Sequence, residues 1–170
     1  YAAGLDVKLF GQFVPGTDSW ISFSLMRTEE TYRGVKVPRP TDQRYSIALF
    51  FQDYVPRFPK YKVSLKAIFA DGLPVGSPRK GREAGYFKTP AYKRVDIGAS
   101  RLLVGGEDKL LQRGVLRHLK SVWIGLDVFN LLGINNVNSY YWVTDITNTQ
   151  YAVPNYLTGR QFNLRLSIEF

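Results

Sequence analysis

The chain contains no cysteine and a single histidine. The first absence excludes disulfides and thiolate metal sites. The second removes the usual centre of acid–base and metal chemistry. His118 sits in a connection beside Arg117 and close to Lys120, with no nucleophile or carboxylate pattern around it. It reads as a surface residue, and no catalytic residue is expected. Phosphate-cradling glycine patterns are missing too. Gly105-Gly106 follows a strand pattern, but no Gly-x-Gly-x-x-Gly or Gly-Lys-Ser/Thr comes after it, so the pair reads as a turn. Asp71, Asp108, Asp145 and Asn148 do not reach calcium-loop spacing, and neither cofactor nor metal is expected. No apolar run attains the roughly 18 residues of a membrane-spanning helix; the best candidate, Val122 to Ile134, is broken by Asp127 and Asn130. Nor does Tyr1 open a signal peptide, since basic n-region, apolar h-region and small-residue cleavage site are all lacking. A chain that starts Tyr-Ala-Ala-Gly, directly in a strand pattern, reads as the interior of something longer.

What the chain does have is alternation. Hydrophobic content of 45% excludes disorder, and 170 residues suffice for one domain. At the end of the chain Phe162, Leu164, Leu166, Ile168 and Phe170 share one face of a strand, while Gln161, Asn163, Arg165, Ser167 and Glu169 share the other. Six more segments carry this period of two: Leu5 to Phe13, Ile21 to Met26, Tyr45 to Gln52, Tyr61 to Phe69, Arg94 to Leu103, and Val122 to Phe129. Each is about ten residues long, which suits a tilted membrane strand better than a globular one of about five or six. The expected fold is all-β, an antiparallel transmembrane β-barrel of which residues 1–170 supply about seven strands. Seven is odd, and bacterial single-chain barrels have even counts, so the chain is expected to be the C-terminal part of a larger barrel.

The connections alternate in length, as barrel turns and outer loops do. Short ones at 14–18 and 55–59 alternate with long ones at 29–43, 71–91 and 131–157. The long connection at 104–120 falls on the short-turn side; its Leu110, Leu111, Val115, Leu116 and Leu119 predict a short amphipathic helix. Trp20, Tyr54, Tyr61, Trp123 and Phe170 near one set of strand ends, and Tyr45, Phe69, Tyr92 and Tyr140-Tyr141-Trp142 near the other, read as interfacial aromatic girdles. Asp6, Asp96, Asp127, Lys8, Lys62, Lys66 and Arg94 fall on polar faces and would line a lumen. The net charge of +9 comes without a basic stripe or a nucleic-acid-binding motif, and no nucleic-acid partner is expected. Its cations gather in loops, notably Arg33, Lys36, Arg39, Arg44, Arg79, Lys80, Arg82 and Lys88, where lipopolysaccharide phosphates are reachable. Two other readings fit the alternation. One is a complete small barrel, a pore or anchor, whose eighth strand would be 140–146. The other is a soluble β-sandwich or lipocalin-like binding module.

Four stretches carry a resemblance: Phe13-Val14-Pro15-Gly16-Thr17-Asp18-Ser19-Trp20, Val128-Phe129-Asn130-Leu131-Leu132, Asn138-Ser139-Tyr140-Tyr141-Trp142-Val143-Thr144-Asp145, and Tyr151-Ala152-Val153-Pro154-Asn155-Tyr156-Leu157-Thr158-Gly159-Arg160. Together they resemble the C-terminal barrel region of TonB-dependent outer-membrane receptors of the Bacteroidetes type. The resemblance implies a large plugged barrel in the bacterial outer membrane that imports a nutrient, with the plug and TonB box upstream and absent from this chain. It implies outer-membrane lipid and lipopolysaccharide, the barrel-assembly machinery, TonB through the upstream region, and a surface lipoprotein as partners. Leu164, Leu166, Ile168 and Phe170 then look like the family's assembly signal, although Arg165 stands where such signals carry glycine. Tyr86, Phe87, Tyr140, Tyr141, Trp142 and Tyr151 become the candidate ligand contacts, as aromatic residues of outer loops.

Overall fold

The alternating runs become strands of one antiparallel sheet in the computed structural model, which describes residues 1–12, 17–105 and 120–170. In chain order the strands are β1 (Ala2–Gly11), β2 (Ser19–Tyr32), β3 (Val35–Pro38), β4 (Tyr45–Val55), β5 (Phe58–Ala70), β6 (Pro74–Val75), β7 (Phe87–Lys88), β8 (Tyr92–Gly105), β9 (Ser121–Phe129), β10 (Val137–Thr144), β11 (Gln150–Tyr156) and β12 (Gln161–Glu169), with a single 3-10 turn at Arg82–Ala84. The main sheet runs β1-β2-β4-β5-β8-β9-β12, each strand antiparallel to its neighbours, and β3 hangs from β2. These path strands coincide with the seven alternating segments of the sequence. The amphipathic stretch with Leu110 to Leu119, His118 and the turn at 13–16 lie outside the described residues.

An antiparallel meander puts successive connections at alternate ends. The two-residue turn Pro56-Arg57 joins β4 to β5; proline presets its own φ, and Arg57 takes the left-handed φ of 68° that the second turn position demands. At the opposite end lie the long segments around β3, around β6 and β7, and around β10 and β11. One of them is tighter than its length implies. β2 continues to Tyr32 and folds back through Arg33 (φ 49°) and Gly34 (φ 79°), so that Tyr32 faces Val35 across a two-residue turn with both central residues left-handed.

The register sorts every side chain onto one of two faces. Directly opposed residues share a face, so Leu5–Leu25–Tyr45, Val7–Phe23–Ile47–Phe69 and Leu9–Ile21–Leu49–Ala67–Val95 form cross-strand rows. Val63–Ala99–Leu126–Leu164 continue the same face to the far edge. The other face carries Asp6–Ser24, Ser64–Gly98–Asp127–Asn163 and Ser100–Gly125–Arg165. A trough of about 610 Å³ crosses this polar face from Gln52 to Glu169, so the sheet is concave on its polar side.

Among the described residues no second layer covers the apolar face. Among the described residues the buried hydrophobic side chains are Val37, Ala67 and Ala70, whereas Asp42, Asp96, Asp127, Asn130 and Asn136 are buried polar ones. The accessible surface is 11970 Å², against about 8,500 Å² for an ordinary folded monomer of this mass. Leu164 and Phe162 are each 72% exposed and Leu126 is 50% exposed. The sheet therefore has its polarity reversed relative to a soluble barrel or sandwich, in which the apolar face is the packed one.

The sheet is an open wall: among the described residues β1 and β12 are its edges and do not pair with one another, so these strands form no closed barrel by themselves. The reading as a complete small barrel needs correction. The 140–146 segment adds no eighth strand to that wall, because β10 pairs with β11 in a separate two-stranded sheet. The girdle also divides. Position near a strand end does not set the face, and the register puts Trp20 opposite Phe50, Tyr54 opposite Lys62 and Trp123 opposite Ser167, on the polar side, with Tyr92 opposite Ala70 there too. Tyr61, Tyr45 and Phe69 do lie on the apolar face.

Close approach across the polar face depends on Gly98. A Cβ built there would stand 2.5 Å from both Asp127 Oδ1 and Ser64 Oγ, whereas one at Gly159 meets nothing within 4 Å. Gly98→Val is therefore expected to cost ~1–3 kcal/mol by overpacking, and Gly159→Ala no more than about 0.5 kcal/mol. Denaturant unfolding of the two variants measures the contrast.

Candidate functional site

The long connections form an interlocked cap at one end of the sheet, anchored by buried polar side chains. Asn136 brackets the Lys93 backbone, donating from Nδ2 to its carbonyl at 2.9 Å and accepting its N–H at 2.9 Å. Asn130, with φ of 51°, donates its N–H to Asp96 Oδ1 at 2.8 Å, and its side chain closes the Ile134 turn. These contacts seat the base of the β10–β11 hairpin on β8. A third anchor is Asp71, which accepts N–H groups of Arg44 and Gly72 at 3.3 and 2.9 Å and pairs with Lys88. At its position after β5 it ties the 71–91 segment to the start of β4.

Higher in the cap, Arg82 reaches across to Glu30 and to the Pro38 carbonyl, and Arg33 pairs with Glu83 at 3.1 Å. This joins the β2–β3 hairpin to the 3-10 turn. Ser77 donates to Gln150, and Arg79 donates to Asn148 at 2.5 Å, joining the same segment to the tip of β10–β11. That tip is shaped by Asp145, whose Oδ1 accepts the Thr147 hydroxyl at 2.7 Å and the N–H groups of Thr147 and Thr149 at 2.9 Å each. The hydroxyl bond from Thr147, followed by the backbone donor of Thr149, holds the Asp145 carboxyl below the ordinary aspartate range.

Phe87 is the aromatic centre of the cap. Its ring meets Tyr140 edge-on at 5.1 Å and 83°, and Trp142 at 6.2 Å and 63°. Beside it runs a groove of about 730 Å³ lined by Arg79, Lys80, Tyr86, Phe87, Trp142 and Gln150 among others. The hairpin register explains why only part of the expected aromatic set converges. Tyr140 opposes Pro154 and Trp142 opposes Ala152 on the face toward Phe87; Tyr141 opposes Val153 and Val143 opposes Tyr151 on the reverse face. Tyr86, Phe87 and Trp142 thus line one groove, with Tyr140 packed behind Phe87, while Tyr141 and Tyr151 point the other way and are 62% and 54% exposed.

The concave polar face holds a second constellation. Lys62 Nζ lies 4.8 Å from the ring centroids of both Tyr54 and Trp123. Arg165 pairs with Asp127 at 3.6 Å and donates to Ser100 at 3.3 Å, while Asn163 donates to Asp127 at 3.3 Å. Asp6, Lys8, Lys66, Arg94 and Asp96 belong to the same face, as the alternation implies. Among the described residues no group of three or more His, Cys, Asp or Glu side chains is placed to hold a metal ion. Leu164, Leu166, Ile168 and Phe170 line the outer side of the edge strand β12 and the residue after it, 72%, 61%, 45% and 75% exposed. Sequence reasoning gave no structural role to Asn136, Asp71 or Asp42; Asp42 is fully buried, accepting the Thr28 N–H at 2.7 Å and the Arg44 guanidinium at 2.9 Å. The signal available was a carboxylate or amide next to a strand end, which is common in any loop.

Comparison with family models, with curated proteins and with solved structures finds no match to this chain.

The cap yields two expected outcomes. Phe87→Ala removes both ring pairs, each worth ~0.5–1.5 kcal/mol beyond area burial; hydrogen exchange in β10 and β11 should then accelerate several-fold while β5 and β9 stay protected. The Asp71 carboxyl is raised by partial burial but more strongly lowered by the Lys88 ammonium and the two N–H donors, for a net downward shift. A lowered pKa gives stability that is present above the ordinary aspartate value near about 4 and lost as pH falls through the folded value. Limited proteolysis within 71–91 should therefore rise on acidification below about pH 4, and Asp71→Asn should cut at a rate independent of pH over that range.

Proposed function

We propose that this chain is part of the wall of a transmembrane β-barrel in a bacterial outer membrane, the C-terminal barrel region of a TonB-dependent nutrient-import receptor. The observation that carries the membrane reading is the distribution of charge on the apolar face. Register places Lys93 and Arg101 on that face of β8, with Val95, Ile97 and Ala99 between them. The same face of the neighbouring strands has Ile47, Leu49 and Phe51 in β4, Leu65, Ala67 and Phe69 in β5, and Val122, Ile124, Leu126 and Val128 in β9, with Asp53 following on β4 opposite Val63, two residues before the strand's short-turn end. The span from Lys93 to Arg101 is about the 9–11 residues a tilted membrane strand needs. An apolar band of that height, facing outward and uncovered, is costly in water and suited to hydrocarbon, while the concave polar face suits an aqueous lumen. A soluble sandwich or lipocalin-like module predicts the opposite sidedness.

In this reading the short turns lie at the periplasmic rim and the interlocked cap lies outside. The receptor assignment rests on the quoted sequence stretches, and the cap adds a groove with aromatic and cationic walls where an external ligand would meet Tyr86, Phe87 and Trp142. The plug and the transducer-contacting segment would come from outside these 170 residues, and further wall strands would pair with the free edges of β1 and β12. The chain contributes no reaction of its own; its work is to complete the wall and hold the cap.

Fractionation tests the proposal. The protein should remain in outer-membrane fragments after alkaline carbonate washing, and antibody to its C-terminal segment should detect a heat-modifiable band. Leu126→Arg, in mid-band, should cost ~2–4 kcal/mol or abolish assembly; an exposed site in water would lose no more than about 0.5 kcal/mol. Protein recovered folded and soluble without detergent, with Leu126→Arg unaffected, overturns the membrane reading. Import assays in a strain lacking the parent protein, supplied with single nutrients, test the receptor assignment separately.

A further inference from the structure

We infer that the apolar face carries, at its short-turn rim, a site for the phosphate of a membrane glycerophospholipid, built from Arg101, Tyr61 and Phe58; the inference rests on the membrane reading above. Arg101 is an exposed cation on a face that is otherwise uncharged through the middle of β8. Its guanidinium lies 5.6 Å from the ring centroid of Tyr61, directly opposite it in register. The ring of Phe58 stands perpendicular to Tyr61, at 6.4 Å and 89°. Both rings are open to the surroundings, Phe58 at 60% and Tyr61 at 39%.

The arrangement differs from the other cation–ring contacts in one decisive respect. Arg33 over Tyr32 belongs to the β2–β3 hairpin; Lys8 over Phe10 and Trp20, Lys62 over Tyr54 and Trp123, and Arg94 over Phe129 belong to the polar face. Arg101 belongs to the apolar one, where a cation is costly unless an anion meets it. Among the described residues it forms no ion pair. The carboxylate nearest in register on this face, Asp53, stands on β4, with β5 between it and Arg101. At the level of a membrane interface the abundant anion is the lipid phosphate. A planar guanidinium binds phosphate oxygens in a fork, and amphipathic rings at that depth pack against the glycerol and upper acyl chain. Contact with the Tyr61 ring restricts the Arg101 side chain, so less of its freedom is lost on binding.

Native mass spectrometry of protein reconstituted with a mixture of phosphatidylglycerol and phosphatidylethanolamine tests the site, with carbonate resistance measured on the same samples. Wild-type protein should retain a phospholipid adduct that excess diacylglycerol, which lacks the phosphate, does not displace. Arg101→Ala and Arg101→Gln should each lower adduct occupancy about fivefold or more, Arg101→Lys less, and Arg165→Ala on the polar face not at all. Wild-type protein that washes off membranes overturns the membrane reading and this site with it. Integrated wild-type and Arg101→Gln proteins with equal adduct occupancy, or displacement by diacylglycerol, overturn the site alone.

Discussion

The apolar face of the seven-strand path has nothing among the described residues to lie against, and that constraint governs the rest of the structure. Strands as long as these order many backbone torsions, which costs free energy that burial must offset. Here the protein itself buries three hydrophobic side chains among the described residues. The interstrand ladders satisfy the backbone, yet ladders alone stabilise weakly in water, where each hydrogen bond replaces one to solvent. The missing contribution has to come from whatever covers Leu126, Leu164, Ile97 and their neighbours. In the proposed membrane setting hydrocarbon would supply it, and there the ladders would become obligatory because no water competes for them.

Reversed sidedness also explains where the polar order is found. With the apolar residues turned outward, Asp127, Arg165, Asn163 and Ser100 knit the concave face together, and Gly98 and Gly125 leave room for them to cross. The cap follows the same economy. Asn130, Asn136, Asp71 and Asp42 satisfy loop backbone at the strand ends, and the three long segments then lock to one another through Arg33, Arg79 and Arg82. Cations that looked like scattered surface charge in the sequence are in part cross-braces between loops. Those exposed pairs are individually weak, so the cap is best regarded as a network that rests on its buried anchors and on the Phe87 rings.

The strands were legible because a period of two survives any packing environment: all seven alternating runs are strands of the path. The loops were legible only in length. β3 was hidden because Arg33-Gly34 is a less familiar two-residue turn than Asn-Gly; the strand at 140–146 was read only as a wall strand of the small-barrel alternative, and its hairpin partner β11 was not read at all. Which of the aromatic residues converge was not legible either: Tyr141 and Tyr151 are sorted away from Phe87 by a register that only the pairing reveals. Trp20, Tyr54 and Trp123 were read only by their closeness to strand ends, which leaves their face open; the register turns them to the polar side. Closure is a different matter, since pairing at the edges of β1 and β12 depends on chain beyond the local pattern.

The central claim is that the uncovered face of the wall meets lipid and the concave face meets water, and the absence of native cysteine makes it directly measurable. Single cysteines placed in turn at Ile124, Gly125, Leu126 and Asp127 of β9, labelled with an environment-sensitive fluorophore in reconstituted membranes, would be challenged with brominated lipid and with aqueous iodide. Quenching by brominated lipid at positions 124 and 126, alternating with quenching by iodide at 125 and 127, is the predicted result. Iodide quenching at all four positions, or lipid quenching at the even and odd positions alike, would contradict it.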